Sequence, residues 1–210
     1  MDSKMAKPDP QTLYTSLMEE AKSRFGVIES AIEGKLGVPD FIAYEIAFLQ
    51  LRMLCEIVAL ACLVAHGDVT PKVRGLYEPD KIIAELEKLN PRFYPQPVTI
   101  TAATGTGGET TMSFQYDKEG WLTKKDLGAL YTKSGQYLHR GKLKKLLAAP
   151  TGREDSLRAA TMAVVTATNK FKILLESHII ASADLGKVLI CVLVNRSNQN
   201  RVTVIHAVRP

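Results

Sequence analysis

Signatures of metal and nucleophile chemistry are missing from this chain. Its four histidines, His66, His139, His178 and His206, show no HExxH or other metal spacing, so no metal site is expected. No serine sits in a GxSxG elbow and no cysteines form a CxxC pair, which leaves nucleophilic catalysis without a sequence signature. Cysteine is scarce: Cys55, Cys62 and Cys191 lie in apolar runs. Their odd number and lack of close spacing fit reduced core residues of a cytoplasmic protein better than disulfides or a zinc site. Repeats, coiled-coil heptads and low-complexity blocks are absent. The polar, proline-bearing start MDSKMAKPDPQ reads as a loose tail, neither a signal peptide nor a transit helix. A phosphate loop is missing too, since Glu109 follows Gly105-Thr106-Gly107-Gly108 where lysine and Ser or Thr are needed. That glycine cluster reads as a turn, and no cofactor is expected.

What the chain does have is one dominant run, Phe41 to His66, FIAYEIAFLQLRMLCEIVALACLVAH. Asp40 is a plausible cap and Gly67 a stop. At helical spacing Glu45, Arg52 and Glu56 fall on one stripe, and the rest of the cylinder is apolar all round. A membrane span tolerates few charges, and Arg52 with Glu56 near its middle favours a buried helix of a soluble protein, with no membrane partner. The three charged residues read either as a buried polar network at a bundle interface or as a ligand pocket. If they are buried, Arg52→Ala costs several kcal/mol through uncompensated carboxylates.

At 210 residues the chain fits one domain able to bury roughly 70% of its unfolded surface. A net charge of +5 permits an acidic partner without demanding nucleic acid. Residues 1–12 read as a flexible tail and 13–210 as a single domain of class α+β, mainly α. Leu13 to Ile32 has helical periodicity, Asp80 can cap a short helix stopped by Asn90-Pro91, and the segment PRFYPQP is extended by its prolines. Residues 97–117 read as a β-hairpin inserted in a helical bundle of 13–176. Leu122 to Arg140 is helical, and Gly128, Thr132, Gly135 and His139 form a face that lets another backbone approach. Thr151 with Glu154 resembles a capping box before the last long helix, and 178–208 reads as an antiparallel β-meander.

His139 sits near a helix C-terminus beside Arg140, and Lys142, Lys144 and Lys145 follow. Such a cationic cluster suits a phosphate backbone, the plainer alternative being a capping histidine with solvated lysines. The order of an apolar helix with central Arg52 and Glu56, a helix of form LYxxxGxYLH over 130–139, and a final amphipathic helix resembles the HEPN group of prokaryotic helical-bundle proteins. This resemblance covers Leu13 to Glu176. It implies a dimerising bundle whose active members cleave RNA without metal through an arginine and a histidine four to six residues apart on a late helix. Here the only such spacing is Arg201 to His206, in an expected strand, while the late-helix position carries His139-Arg140 in reverse order.

Two functions follow. The first is a non-enzymatic interaction module, a homodimer that binds a protein or nucleic-acid partner. The second is a metal-independent ribonuclease or nucleotide-handling enzyme with His139 as acid or base and Arg140 on the phosphate. A third reading places the function on the meander, through Arg196, Arg201 and Arg209.

Overall fold

The computed structural model describes residues 9–67, 69–104, 110–116, 118–138, 153–183, 187–195 and 198–208. Asp9 opens the first element: its carboxylate accepts from the Thr12 amide at 3.2 Å, Pro10 takes the first helical position, and α1 runs Pro10–Ile32. The helix therefore starts three residues before Leu13, and residues 9–12 belong to the fold rather than to a tail. The apolar run folds as one helix, α2, Asp40–His66. Asp40 is its first residue and makes no capping bond; Pro39 occupies the cap position. Gly67 closes it at φ 78°, a left-handed conformation that glycine enters without strain, and donates its N–H to the Leu63 carbonyl.

After the single turn α3, Pro71–Arg74, comes α4, Pro79–Leu89. Pro79 starts α4 and Asp80 lies in its first turn, not at the cap. Asn90 ends it, buried, with its side chain accepting from the Arg92 amide and donating to the Ser182 carbonyl. The extended segment that follows contributes β1, Gln96–Pro97, and then a hairpin of β2, Thr99–Thr104, and β3, Thr110–Gln115. Thr99 pairs with Gln115 and Thr104 with Thr110. A reciprocal cap of Thr123 and Asp126 starts α5, Lys124–Leu138. The last helix, α6, Arg153–Leu175, leads into β4, Ser177–Ala181, β5, Lys187–Asn195, and β6, Arg201–Val208.

The fold is α+β, mainly α, with six helices among the described residues and a four-stranded antiparallel sheet of order β1-β4-β5-β6. The expected meander thus gains a fourth strand from the proline segment before the hairpin, while the hairpin forms a separate two-stranded sheet. Alternation along the strands gives the sheet two apolar faces. Ile180, Leu189, Cys191, Val202 and Val204 join the helical core, whereas Ile179, Val188 and Ile190 lie under Val98 and the hairpin base residues Ile100 and Phe114. The open edge of β6 is covered by α1: Gln11 Nε2 donates to the Val204 carbonyl at 2.7 Å, and the Val202 amide donates to Glu19 Oε1 at 2.8 Å. Those bonds occupy groups that would otherwise template a foreign strand.

Helix α2 is the centre of the core. Leu51, Leu54, Cys55, Val58 and Cys62 are fully buried, and α1, α4, α5 and α6 all pack on it. By length and composition it could cross a membrane, and 56% of its most apolar window is buried inside the protein.

Candidate functional site

The basic cluster His139, Arg140, Lys142, Lys144 and Lys145, the Gly105–Gly108 turn, Thr151, Arg196 and Arg209 lie outside the described residues. Arg201 and His206 are both on β6. Five positions apart on a strand, they project to opposite faces, so they do not form a joint site.

Arg52 does meet other polar groups. Its Nε lies 3.7 Å from Glu56 Oε1, its Nη2 donates to Tyr131 Oη at 2.5 Å, and the guanidinium carbon stands 3.9 Å from the Tyr131 ring centroid. Burial raises the Tyr131 phenol pKa and the Arg52 charge opposes that rise, so the hydroxyl stays protonated and accepts the guanidinium bond. Gly135 makes room: a Cβ there would sit 2.8 Å from Arg52 Nη1. Gly128 has no such neighbour, so the close approach expected of the α5 glycines belongs to Gly135.

The expected buried network is corrected in two respects. Glu45 is exposed, and the Arg52 and Glu56 side chains keep 31% and 27% of their surface. The reason is the way neighbours divide α2. Gln50 faces α1 and accepts from Arg24; Phe48 stacks on Tyr137 of α5 at 3.8 Å; the Tyr44 hydroxyl is hydrogen-bonded to that of Thr161 on α6. One stripe is left uncovered: Ile46, Leu49, Met53, Glu56, Leu60 and Val64 are half-buried or exposed. Leu49 keeps 42% and Leu60 38% of their surface. The steps from Ile46 to Leu60 are three, four, three and four residues, the spacing of a helix that meets another helix along a seam. No heptad stands out in the sequence because the covered faces of α2 are equally apolar.

A cleft of about 590 Å³ opens between α4, the segment after Asn90 and the start of α5. Asp80, Glu87, Arg92, Tyr94, Trp121 and Lys125 line it. Tyr94 is buried and its hydroxyl donates to the Leu122 carbonyl at 3.0 Å. Trp121 leans on Tyr94, the centroids 6.3 Å apart.

His178 and the three cysteines are held fast in the core, whereas the buried His66 leaves its Nδ1 without a hydrogen-bond partner among the described residues. His178 is fully buried between Tyr14 Oη, 2.6 Å from Nε2, and the Leu175 carbonyl, 3.1 Å from Nδ1. Burial lowers its pKa to about 4, so it is neutral near pH 7. Burial likewise raises the thiols of Cys55 and Cys62, and that of Cys191 to about 12. Among the described residues no group of three or more His, Cys, Asp or Glu side chains has metal-binding geometry. Compared with protein-family models, curated proteins and solved structures, the chain matches none.

Proposed function

We propose that this protein is a non-enzymatic interaction module that acts as a homodimer and engages a protein or nucleic-acid partner. The observation that carries the reading is the symmetry of the uncovered stripe on α2. Leu49 and Leu60 lie equally on either side of position 54.5, and Arg52 and Glu56 equally on either side of position 54. Half a residue along a helix is about 0.8 Å. An antiparallel pair of α2 helices related by a two-fold axis at that point sets Leu49 against Leu60 of a second copy and Arg52 against its Glu56 at the same time. Apolar and charged groups are then satisfied by one symmetry operation, which is what a self-complementary interface requires.

The inert state of His178 and of the described thiols supports the non-enzymatic part. The described thiols are protonated and buried, and His178 has both ring nitrogens engaged. Reduced, buried cysteines also accord with a cytoplasmic protein. The resemblance to HEPN proteins points the same way, because their arginine–histidine motif is missing from the helical positions here.

The test is mass in solution over a range of concentrations, with RNA added in parallel. A dimer that Leu49→Arg or Leu60→Arg turns into a folded monomer is the expected result. Arg52→Glu alone weakens it, and Arg52→Glu combined with Glu56→Arg restores it. A parent protein that stays monomeric, or a dimer indifferent to these changes, defeats the proposal. RNA cleavage that disappears in His139→Ala would establish the enzyme reading instead.

A further inference from the structure

The cleft beside Trp121 lies away from the α2 stripe, and its chemistry is different. We propose that it binds one nucleotide unit, the base against Trp121 and the phosphate between Arg92 and Lys125. The unit comes either as a free mononucleotide or as part of a single-stranded nucleic acid.

Size is the first argument. A volume of about 590 Å³ falls inside the range of roughly 300–1,000 Å³ typical of small-molecule sites, and is far larger than a lone inorganic anion needs.

The aromatic floor is the second. Trp121 is half-buried and borders the open cleft, while the buried Tyr94 supports it. The Tyr94 hydroxyl is bonded to the Leu122 carbonyl, and the Leu122 amide is bonded to the Lys170 carbonyl on α6. Trp121 therefore stands on a fixed base, as a stacking surface must if its order is not to be lost on binding.

Charge supplies the third argument. Three cations, Arg92, Lys124 and Lys125, and two carboxylates, Asp80 and Glu87, border the cleft, an excess of one positive charge. Lys124 is taken up by Glu87 at 2.5 Å. Arg92 and Lys125 are exposed, and neither side chain has a carboxylate partner among the described residues. Two unpaired cations beside an aromatic surface match a ligand with a planar ring and an anionic group. A proline-rich peptide would use the rings and leave both cations idle. The cations outnumber the carboxylates around the cleft, Asp80 included, so affinity for the anion falls as salt screens them.

Trp121 is the chain's single tryptophan, so its fluorescence reports on the cleft alone. The full chain is titrated with AMP, UMP, a short single-stranded RNA, adenosine and inorganic phosphate, with excitation at the red edge of the indole band. Saturable quenching by the nucleotides is expected, with adenosine and phosphate each bound about tenfold or more weakly than AMP. Arg92→Glu with Lys125→Glu, both at the surface, lowers nucleotide affinity about tenfold or more while leaving the circular dichroism and the oligomeric state unchanged. RNA binding tighter than AMP identifies single strands as the source, and binding of AMP without RNA identifies the free nucleotide. Absence of quenching by every nucleotide, equal binding by the double variant, or a response to a proline-rich peptide alone overturns the proposal. Failure here leaves the α2 interface untouched, because no cleft residue lies on that stripe.

Discussion

Tyr14 Oη and His178 Nε2 stand 2.6 Å apart, joining α1 to β4 across 164 positions of sequence. The direction of the bond is set by the other side of the ring. A carbonyl oxygen only accepts, so His178 Nδ1 carries the proton that reaches Leu175, and Nε2 must accept from the Tyr14 hydroxyl. Tyr14→Phe keeps the ring and strands a buried acceptor, with an expected loss of about 1–3 kcal/mol in the free energy of urea unfolding.

The same histidine gives the protein an acid-sensitive core. Unfolded histidine titrates near 6.5 and folded His178 at about 4, so between those values the unfolded chain binds one more proton. Stability therefore falls as pH drops through that window, by about 1.4 kcal/mol per unit at its steepest and about 3 kcal/mol in all. Above pH 6.5 the dependence on His178 fades over about one further unit, as the unfolded histidine loses its proton. His178→Gln, which does not titrate, flattens this part of the curve when urea midpoints are measured from pH 7 to pH 4.

Arg52→Ala has a milder consequence than a buried network would produce. The ion pair with Glu56 is partly solvated and Glu45 is exposed, so no carboxylate is left in an apolar setting. Loss of the Tyr131 contacts and of a half-exposed pair amounts to about 1–2 kcal/mol. A double-mutant cycle with Tyr131→Phe reads the share that belongs to the hydroxyl bond.

Two helix glycines separate propensity from contact. Gly26, in the interior of α1, has nothing within 4 Å of a Cβ, so Gly26→Ala raises stability by about 0.5–1 kcal/mol. Gly135→Ala gains less, because the new methyl pushes the Arg52 guanidinium off Tyr131. Thermal midpoints of the two variants should differ in that order.

The thiols of Cys55, Cys62 and Cys191 are buried and held protonated by their surroundings. A thiol reagent should leave all three unmodified in the native protein and modify all three in denaturant. Fast labelling of any of them without denaturant would mean that the core opens.

Much of the architecture was legible because it is encoded locally. The apolar run and Gly67 delimited α2 to within one residue, and the β-branched runs after residue 176 marked three strands. Helix starts were less legible. Pro10 and Pro79 began their helices three and two residues before the expected places: at α1 Asp9 and Pro10 act together as cap and first helical residue, and at α4 Pro79 takes the first position ahead of Asp80. Strand β1 escaped notice, since two residues carry no period, and only Ile179 and His178 across the sheet make them a strand.

The candidate sites were much less legible. Arg52 and Glu56 were visible as a pair four apart, but their partner Tyr131 lies 79 positions from Arg52 and Trp121 with Arg92 are joined only by the fold.

The sequence by itself determined the order and kind of elements, because hydrophobic period, turn residues and caps act within a few positions of one another. Only the tertiary structure decided which face of α2 remains open, because all its faces are apolar and the choice depends on where α1, α5 and α6 come to rest. The cleft and the Tyr14–His178 bond were decided in the same way, by distances across the core that no local pattern carries.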